Sequence, residues 1–191
     1  MARARPLGVL LAGGRATRMG GDKATVELAG RPLLAWPLEA LRAALDDVVV
    51  VAKASTPLPP LDVEVWVEPD EPVHPRAGLV YALERAGGRA ILACPGDLPL
   101  VSPALLRRLA LHDAAGAPAV VARTGRLQPL PGRFEPAALD GLRAAPPDEP
   151  LTRSVEALEP HVVQLDDDGP FRNVNTPEDL AAVAQIIARP S

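Results

Sequence analysis

The chain is short of several things, and each shortage removes a class of function. It has one cysteine, Cys94, in 191 residues. That excludes an internal disulfide framework and a cysteine-ligated metal centre. Lysine is nearly missing: Lys23 and Lys53 are the only two, and arginine carries almost all of the positive charge. There is no basic excess either. The formal net charge is −4, so no basic face is large enough to follow a nucleic-acid backbone. No apolar run approaches the roughly 20 residues that a spanning helix needs. The first residues, Met1 to Pro6, carry charge but too short an apolar stretch for a signal peptide. What survives these exclusions is a cytoplasmic enzyme or binding protein. The length suits one α/β domain over residues 1–191 with a full core, and 48% apolar and 23% charged residues are ordinary for a soluble fold. The 23 prolines fit a heat-stable protein, although a GC-rich genome gives a similar arginine and alanine bias.

What the chain does have begins at its first strand. Leu7 to Leu11 is an apolar run that reads as a buried strand, and Ala12-Gly13-Gly14-Arg15-Ala16-Thr17-Arg18-Met19-Gly20-Gly21-Asp22-Lys23 follows it directly. Glycine lets the backbone turn tightly and lets a ligand approach its N–H groups. Successive N–H groups in such a loop form an anion-binding concavity. Arg15, Arg18 and Lys23 add charge, so the stretch reads as a polyphosphate cradle. The plain reading of Gly13-Gly14 alone is a turn, and of the arginines, solvated side chains. Neither common phosphate loop fits. Gly21 is followed by Asp22-Lys23-Ala24 rather than Gly-Lys-Ser/Thr, and Gly13-Gly14 breaks the dinucleotide fingerprint.

Beyond the loop, strands and helices alternate. Leu33 to Leu45 has helical spacing, and Val48 to Ala52 is a β-branched run of the kind buried on both faces of a parallel sheet. Val63 to Val67 reads as a third strand and Gly78 to Ala86 as a helix. The intervening stretch, Glu68 to Arg76, reads as irregular throughout. Ala90 to Cys94 is a fourth strand, and Ser102-Pro103 caps a helix to about His112. Ala119 to Ala122 is a fifth. Gln128 to Phe134 reads as irregular or a short strand. Helices are expected around Pro136 to Arg143 and Leu151 to Leu158, then a strand over Val162 to Leu165. Thr176 caps a last helix running to about Ala188, with acids in its first turn. This order predicts a mostly parallel sheet with helices on both faces. In such sheets the ligand lies outside the carboxyl ends of the strands, so the first loop, the Asp70 loop and the Asp97 turn should converge on one edge.

Asp97, in Pro95-Gly96-Asp97-Leu98-Pro99, is the strongest single acid. A carboxylate at a strand end opposite a phosphate cradle suits a nucleotide-bound Mg²⁺. The plain alternative is a turn aspartate capping a backbone N–H. Asp166-Asp167-Asp168 before Gly-Pro reads as a solvated turn rather than a metal site. His74, His112 and His161 lack ligand spacing and fall in different segments. Cys94 reads as core.

Four stretches together carry a family resemblance. Leu11 to Lys23 resembles the signature Leu-Ala-Gly-Gly-x-x-x-Arg-Met-Gly-x-Asp-Lys of the molybdenum cofactor guanylyltransferases. The Asp97 turn is similar to their metal-binding turn, Gln128-Pro129-Leu130 to a substrate-side segment, and Asn173-Val174-Asn175-Thr176-Pro177-Glu178 to their C-terminal signature. The resemblance implies one three-layer, Rossmann-like domain of the nucleotide-diphospho-sugar transferase type. It implies transfer of GMP from GTP to the terminal phosphate of molybdopterin, with Mg²⁺ as cofactor. Base-binding backbone then falls on Leu11, Ala12 and Gly13, with Gly14 beside it. The phosphate-binding lysine falls on Lys23, next to Arg18. A nucleotide-contacting aspartate falls on Asp70, the Mg²⁺ ligand on Asp97, and the acceptor contacts on Asn173 and Asn175. A monomer is implied, with transient contacts to molybdopterin-handling proteins or molybdoenzymes. The chain departs from the family where Gly-Pro-Leu-Ala-Gly is usual and His74-Pro75-Arg76-Ala77-Gly78 stands instead. The rival readings are a cytidylyltransferase for molybdopterin or a small alcohol phosphate, whose loop more often reads Leu-Ala-Ala-Gly, and a non-catalytic nucleotide-binding regulator, which need not keep Lys23 and Asp97.

Overall fold

The computed structural model describes residues 5–12 and 25–188. Gly13, Gly14, Arg15, Arg18 and Lys23 lie outside the described residues. The elements in chain order are β1 (Leu7–Leu11), β2 (Glu27–Leu28), β3 (Arg31–Pro32), α1 (Ala35–Ala44), β4 (Val48–Lys53), β5 (Glu64–Glu68), α2 (Pro75–Arg85), β6 (Ile91–Pro95), α3 (Pro103–Leu111), β7 (Ala119–Thr124), β8 (Arg126–Phe134), α4 (Ala138–Ala144), α5 (Leu151–Glu156), β9 (His161–Gln164) and α6 (Pro177–Ile187). Seven strands make one sheet in the order β5-β4-β1-β6-β8-β7-β9, and β2 and β3 form a small separate ribbon. Every pair in the large sheet is parallel except the two that β8 makes.

The layers follow from strand periodicity. Successive side chains point to opposite faces. Leu7, Val9 and Leu11 therefore join α2, α4 and α5 in one apolar cluster, while Leu10 and Ala12 join α1 and α3 in the other. Both faces of β1 are covered, which is why its sequence is apolar without alternation. Gly8 is needed for the close approach of β4: a Cβ there would lie 3.1 Å from Val48 Cγ2 and 3.2 Å from Leu45 Cδ1. A third, smaller cluster (Leu28, Leu33, Val174 and Val183) ties α6 and the β2–β3 ribbon to the segment before α6.

Two segments differ from the sequence reading. Residues 68–76 are not wholly irregular. Glu68 ends β5, and α2 starts at Pro75, three residues before the expected Gly78. Proline fits the first turn of a helix, and His74 supplies the cap by accepting from Arg76 N at 3.1 Å. The stretch around Gln128 to Phe134 belongs to a nine-residue antiparallel strand, despite two prolines. The register with β7 jumps from Val121↔Gly132 to Ala122↔Gln128, so Pro129, Leu130 and Pro131 sit where no β7 partner is needed. A proline at such an irregularity costs no ladder hydrogen bond.

Candidate active site

The strand order reverses direction at β1. The chain steps outward from β1 to β4 and β5, then returns to place β6 on the other side of β1. Ligands of open α/β sheets bind outside the carboxyl ends at such a reversal. Here the two carboxyl ends are joined directly: Gly96 N donates to Leu11 O at 3.0 Å, and Ala12 N donates to Val51 O at 2.8 Å. A Cβ at Gly96 would rest against this joint, at van der Waals contact 3.4 Å from both Leu11 O and Leu34 Cδ1.

Asp97 stands one residue further on, half-buried, in the turn after β6. Its carboxylate Oδ2 accepts from Asn173 Nδ2 at 3.3 Å, and its backbone oxygen accepts from Val174 N at 3.0 Å. Residues 76 apart in sequence are thus held side by side. Val174 is fully buried in the small third cluster, which leaves its neighbours Asn173 and Asn175 exposed. A reciprocal capping box follows. Thr176 Oγ1 accepts from Asp179 N at 3.1 Å, and Asp179 Oδ2 accepts from Asn175 N at 2.9 Å and Thr176 N at 3.0 Å. The cap reading of Thr176 holds, and it fixes the backbone on which both asparagines stand.

The donor set fits a hard divalent cation. Asp97 offers carboxylate oxygen at the strand end, and cations of the Mg²⁺ class take one or two carboxylates together with substrate phosphates. Among the described residues no group of three or more His, Cys, Asp or Glu side chains could hold a metal. Asp167 Oδ1 accepts from Gly169 N at 2.9 Å, the local bond of a turn aspartate.

Asp70 lies on the same edge of the sheet, past the end of β5, but two strands from β1. It is exposed, and its Oδ1 accepts from Ser55 Oγ at 3.2 Å. Lys53 Nζ donates to Pro69 O at 2.7 Å and so holds the base of the Asp70 loop. Leu11 and Ala12 are buried, with their strand ends at the reversal. The departure at 74–78 has a structural explanation. Arg76 is buried and donates to Ser154 Oγ at 3.0 Å and Pro146 O at 2.6 Å, so it clamps α2 to α5 and to the segment before it.

Sequence reasoning missed three groups. Glu68 is buried under α2, with its carboxylate oxygens facing the open side of Gly78, and burial raises its pKa against the opposing pull of Lys53. Its position as the last residue of a strand hid it. Arg126 and Arg172 line a polar cavity that also contains Thr124, Gln128, Asn173 and Asn175. That cavity meets Asp97 through Asn173, which lines it and donates to the Asp97 carboxylate. Two of the histidines, from different segments as expected, meet in the fold. The Nε2 atoms of His112 and His161 lie 2.9 Å apart at the amino end of β9. Burial, then the His161 ring, lower the pKa of His112. Cys94 is core, as expected, and burial and the Asp97 carboxylate push its thiol up.

Residues 8–163 match the family described as the MobA-like NTP transferase domain. The chain belongs to that family. A molybdenum cofactor guanylyltransferase of Ectopseudomonas mendocina is 37% identical, over 92% of this chain and 90% of its own length. Among solved structures, the molybdopterin-guanine dinucleotide biosynthesis protein A of Archaeoglobus fulgidus shares the fold. The TM-score is 0.74 at 24% identity, covering 95% of this chain and 98% of the other. A Mycobacterium tuberculosis protein solved as a manganese complex also shares it, with a TM-score of 0.77 at 22% identity over 96% of this chain and all of the other. The MobA-like family members are nucleotidyltransferases, and a divalent metal accompanies the fold in the manganese complex. No helix among the described residues is long and apolar enough to cross a membrane.

Proposed function

We propose that this MobA-like chain transfers GMP from GTP to the terminal phosphate of molybdopterin, giving the guanine dinucleotide cofactor and pyrophosphate. The observation that carries this reading is the Asp97–Asn173 contact at the sheet reversal. It joins a carboxylate suited to a phosphate-bound cation to the segment on which the resemblance puts the acceptor contacts. The relatives' names supply the substrates; the site supplies the chemistry.

The nucleotide half lies on the β1 side. The backbone of Leu11, Ala12, Gly13 and Gly14 would bind the base, Lys23 and Arg18 the phosphates, and Asp70 would contact the nucleotide from its loop. Mg²⁺ held by Asp97 would neutralise charge on the triphosphate and the leaving pyrophosphate. The acceptor's phosphate monoester has a second pKa near ~6 and is largely dianionic at neutral pH. It needs no general base. One of its oxygens attacks the α-phosphorus, the new P–O bond forms, and the bond to pyrophosphate breaks with its electrons. The chain's own task is to bring two anions together and keep them aligned. Asn173 and Asn175 are neutral donors and acceptors, suited to a heterocycle.

Pyrophosphate release with molybdopterin and each of GTP, CTP and ATP tests the reading. GTP should be used far better than the others, because groups placed to pair with guanine are left unpaired by another base. Equal use of CTP would move the chain to the cytidylyl rival, and no release with any triphosphate would leave a binding protein.

A further inference from the structure

Most arginines among the described residues are engaged. Arg5, Arg31, Arg42, Arg89 and Arg143 pair with carboxylates, and Arg76 and Arg133 are buried against backbone oxygens. Arg126 and Arg172, like Arg123 and Arg153, make no such bond, and of these four only Arg126 and Arg172 line the polar cavity that Asn173 shares with Asp97. They reach it from separate elements. Arg126 opens β8 directly after Gly125, and Arg172 follows the short turn Gly169–Phe171. The backbone under each is fixed. Arg126 pairs with Thr124 across the β7–β8 hairpin, and Arg172 N donates to Gly169 O at 3.2 Å. Gln128 Nε2 donates to Thr124 Oγ1 at 2.9 Å, which holds the cavity wall between them. Two carboxylates share the cavity. Asp179 is committed to the N–H groups of Asn175 and Thr176, and Asp168 is exposed on the turn.

We infer that Arg126 and Arg172 bind the phosphate monoester of the acceptor, and so hold the attacking nucleophile on the side of Asp97 opposite the nucleotide cradle. The inference rests on the transfer reading above. Its argument is one of chemistry and position. A dianionic nucleophile brought up to a triphosphate needs cations of its own, because those on the nucleotide are already shared among three phosphates. Guanidinium matches phosphate with paired N–H donors in a fixed fork. β8 is the next strand after β6 in the sheet. Its first residue lies at the same edge as the carboxyl ends of the parallel strands, because β8 alone runs the other way. Asn173 is the link between the two: it lines the arginines' cavity and donates to Asp97 Oδ2 at 3.3 Å.

The test is direct binding of molybdopterin, read from the pterin's own fluorescence with no nucleotide present, beside its dephosphorylated form. Arg126→Gln and Arg172→Gln should each weaken binding of the phosphorylated form about tenfold or more. They should leave binding of the dephosphorylated form, and of GTP with Mg²⁺, nearly unchanged. Arg172→Lys should recover part of the loss, and Arg153→Gln on α5 should change nothing. Loss of the phosphorylated and dephosphorylated forms in equal measure would overturn the inference, since the arginines would then act through the fold or the pterin. So would a wild-type protein that binds both forms equally. Failure of wild-type protein to release pyrophosphate from GTP counts against the transfer reading instead, and the binding measurement still decides the arginines.

Discussion

At the scale of single residues, the proposed division of the site makes separable demands. Asp97→Ala leaves the turn and its backbone bond to Val174 in place but removes the carboxylate. Turnover should fall about 10²-fold or more, with the loss partly recovered by raising the metal concentration. Wild-type turnover at limiting Mg²⁺ would show that the metal is held elsewhere. Asp167→Ala should be nearly silent, because that side chain bonds only within its own turn. Lys23→Ala should raise the GTP dissociation constant, and Asn175→Ala should raise the KM for molybdopterin alone. GTP titration of both variants checks the division; equal losses would assign the C-terminal signature to the nucleotide. Glu68 makes a stability prediction. Its pKa is raised on folding above 4.5, so the unfolded chain releases its proton first and stability falls as pH climbs past that value. Glu68→Gln should therefore melt above wild type at pH 7.5 and level with it at pH 4, in paired thermal scans.

At the scale of elements, the segment from Asn173 to Asp179 is a loop made rigid by a helix start. Thr176→Ala removes one side of the capping box and should cost about 0.5–2 kcal/mol of stability, measured by urea unfolding. If the cap also positions the asparagines, the KM for molybdopterin should rise in the same variant. This cap was legible in the sequence, because Thr-Pro-Glu-Asp before an apolar helix states its own geometry. So were β1, β4 and β6, whose apolar runs leave them no place but a sheet covered on both faces. The strand β8 was legible only as irregular chain or a short strand over 128–134, since Pro129 and Pro131 argue against a strand and only the register jump opposite β7 accommodates them. Glu68 and the two cavity arginines were hidden for another reason. Nothing in the local sequence separates a buried glutamate from an exposed one, or an unengaged arginine from one already paired. Those distinctions are made by contacts between distant segments.

At the scale of the whole molecule, the amino end of β9 carries a pH-dependent contact far from the carboxyl edge. His112 faces the His161 ring, Arg108 and Arg133, with Asp113 as the one nearby group that favours its protonation. Its pKa is lowered on folding, so the unfolded chain takes up the proton first as pH drops below 6.5, and the fold loses stability there. His112→Gln should flatten the fall in melting temperature between pH 7.5 and 5.5; an unchanged slope would mean that other groups govern it. The reversed direction of β8 has a longer reach. On the β1 side, the connections from β1 to β4 and from β5 to β6 run through α1 and α2, so a change in length beside either helix displaces a packed layer. The wall carrying Arg126 is joined through a tight hairpin at Gly125, whose backbone is left-handed with φ of 79°. A hairpin tip can gain, lose or exchange residues without moving any layer of the sandwich. On the proposed division of the site, then, residues on the acceptor side can be exchanged at this tip while the helix layers stay in place.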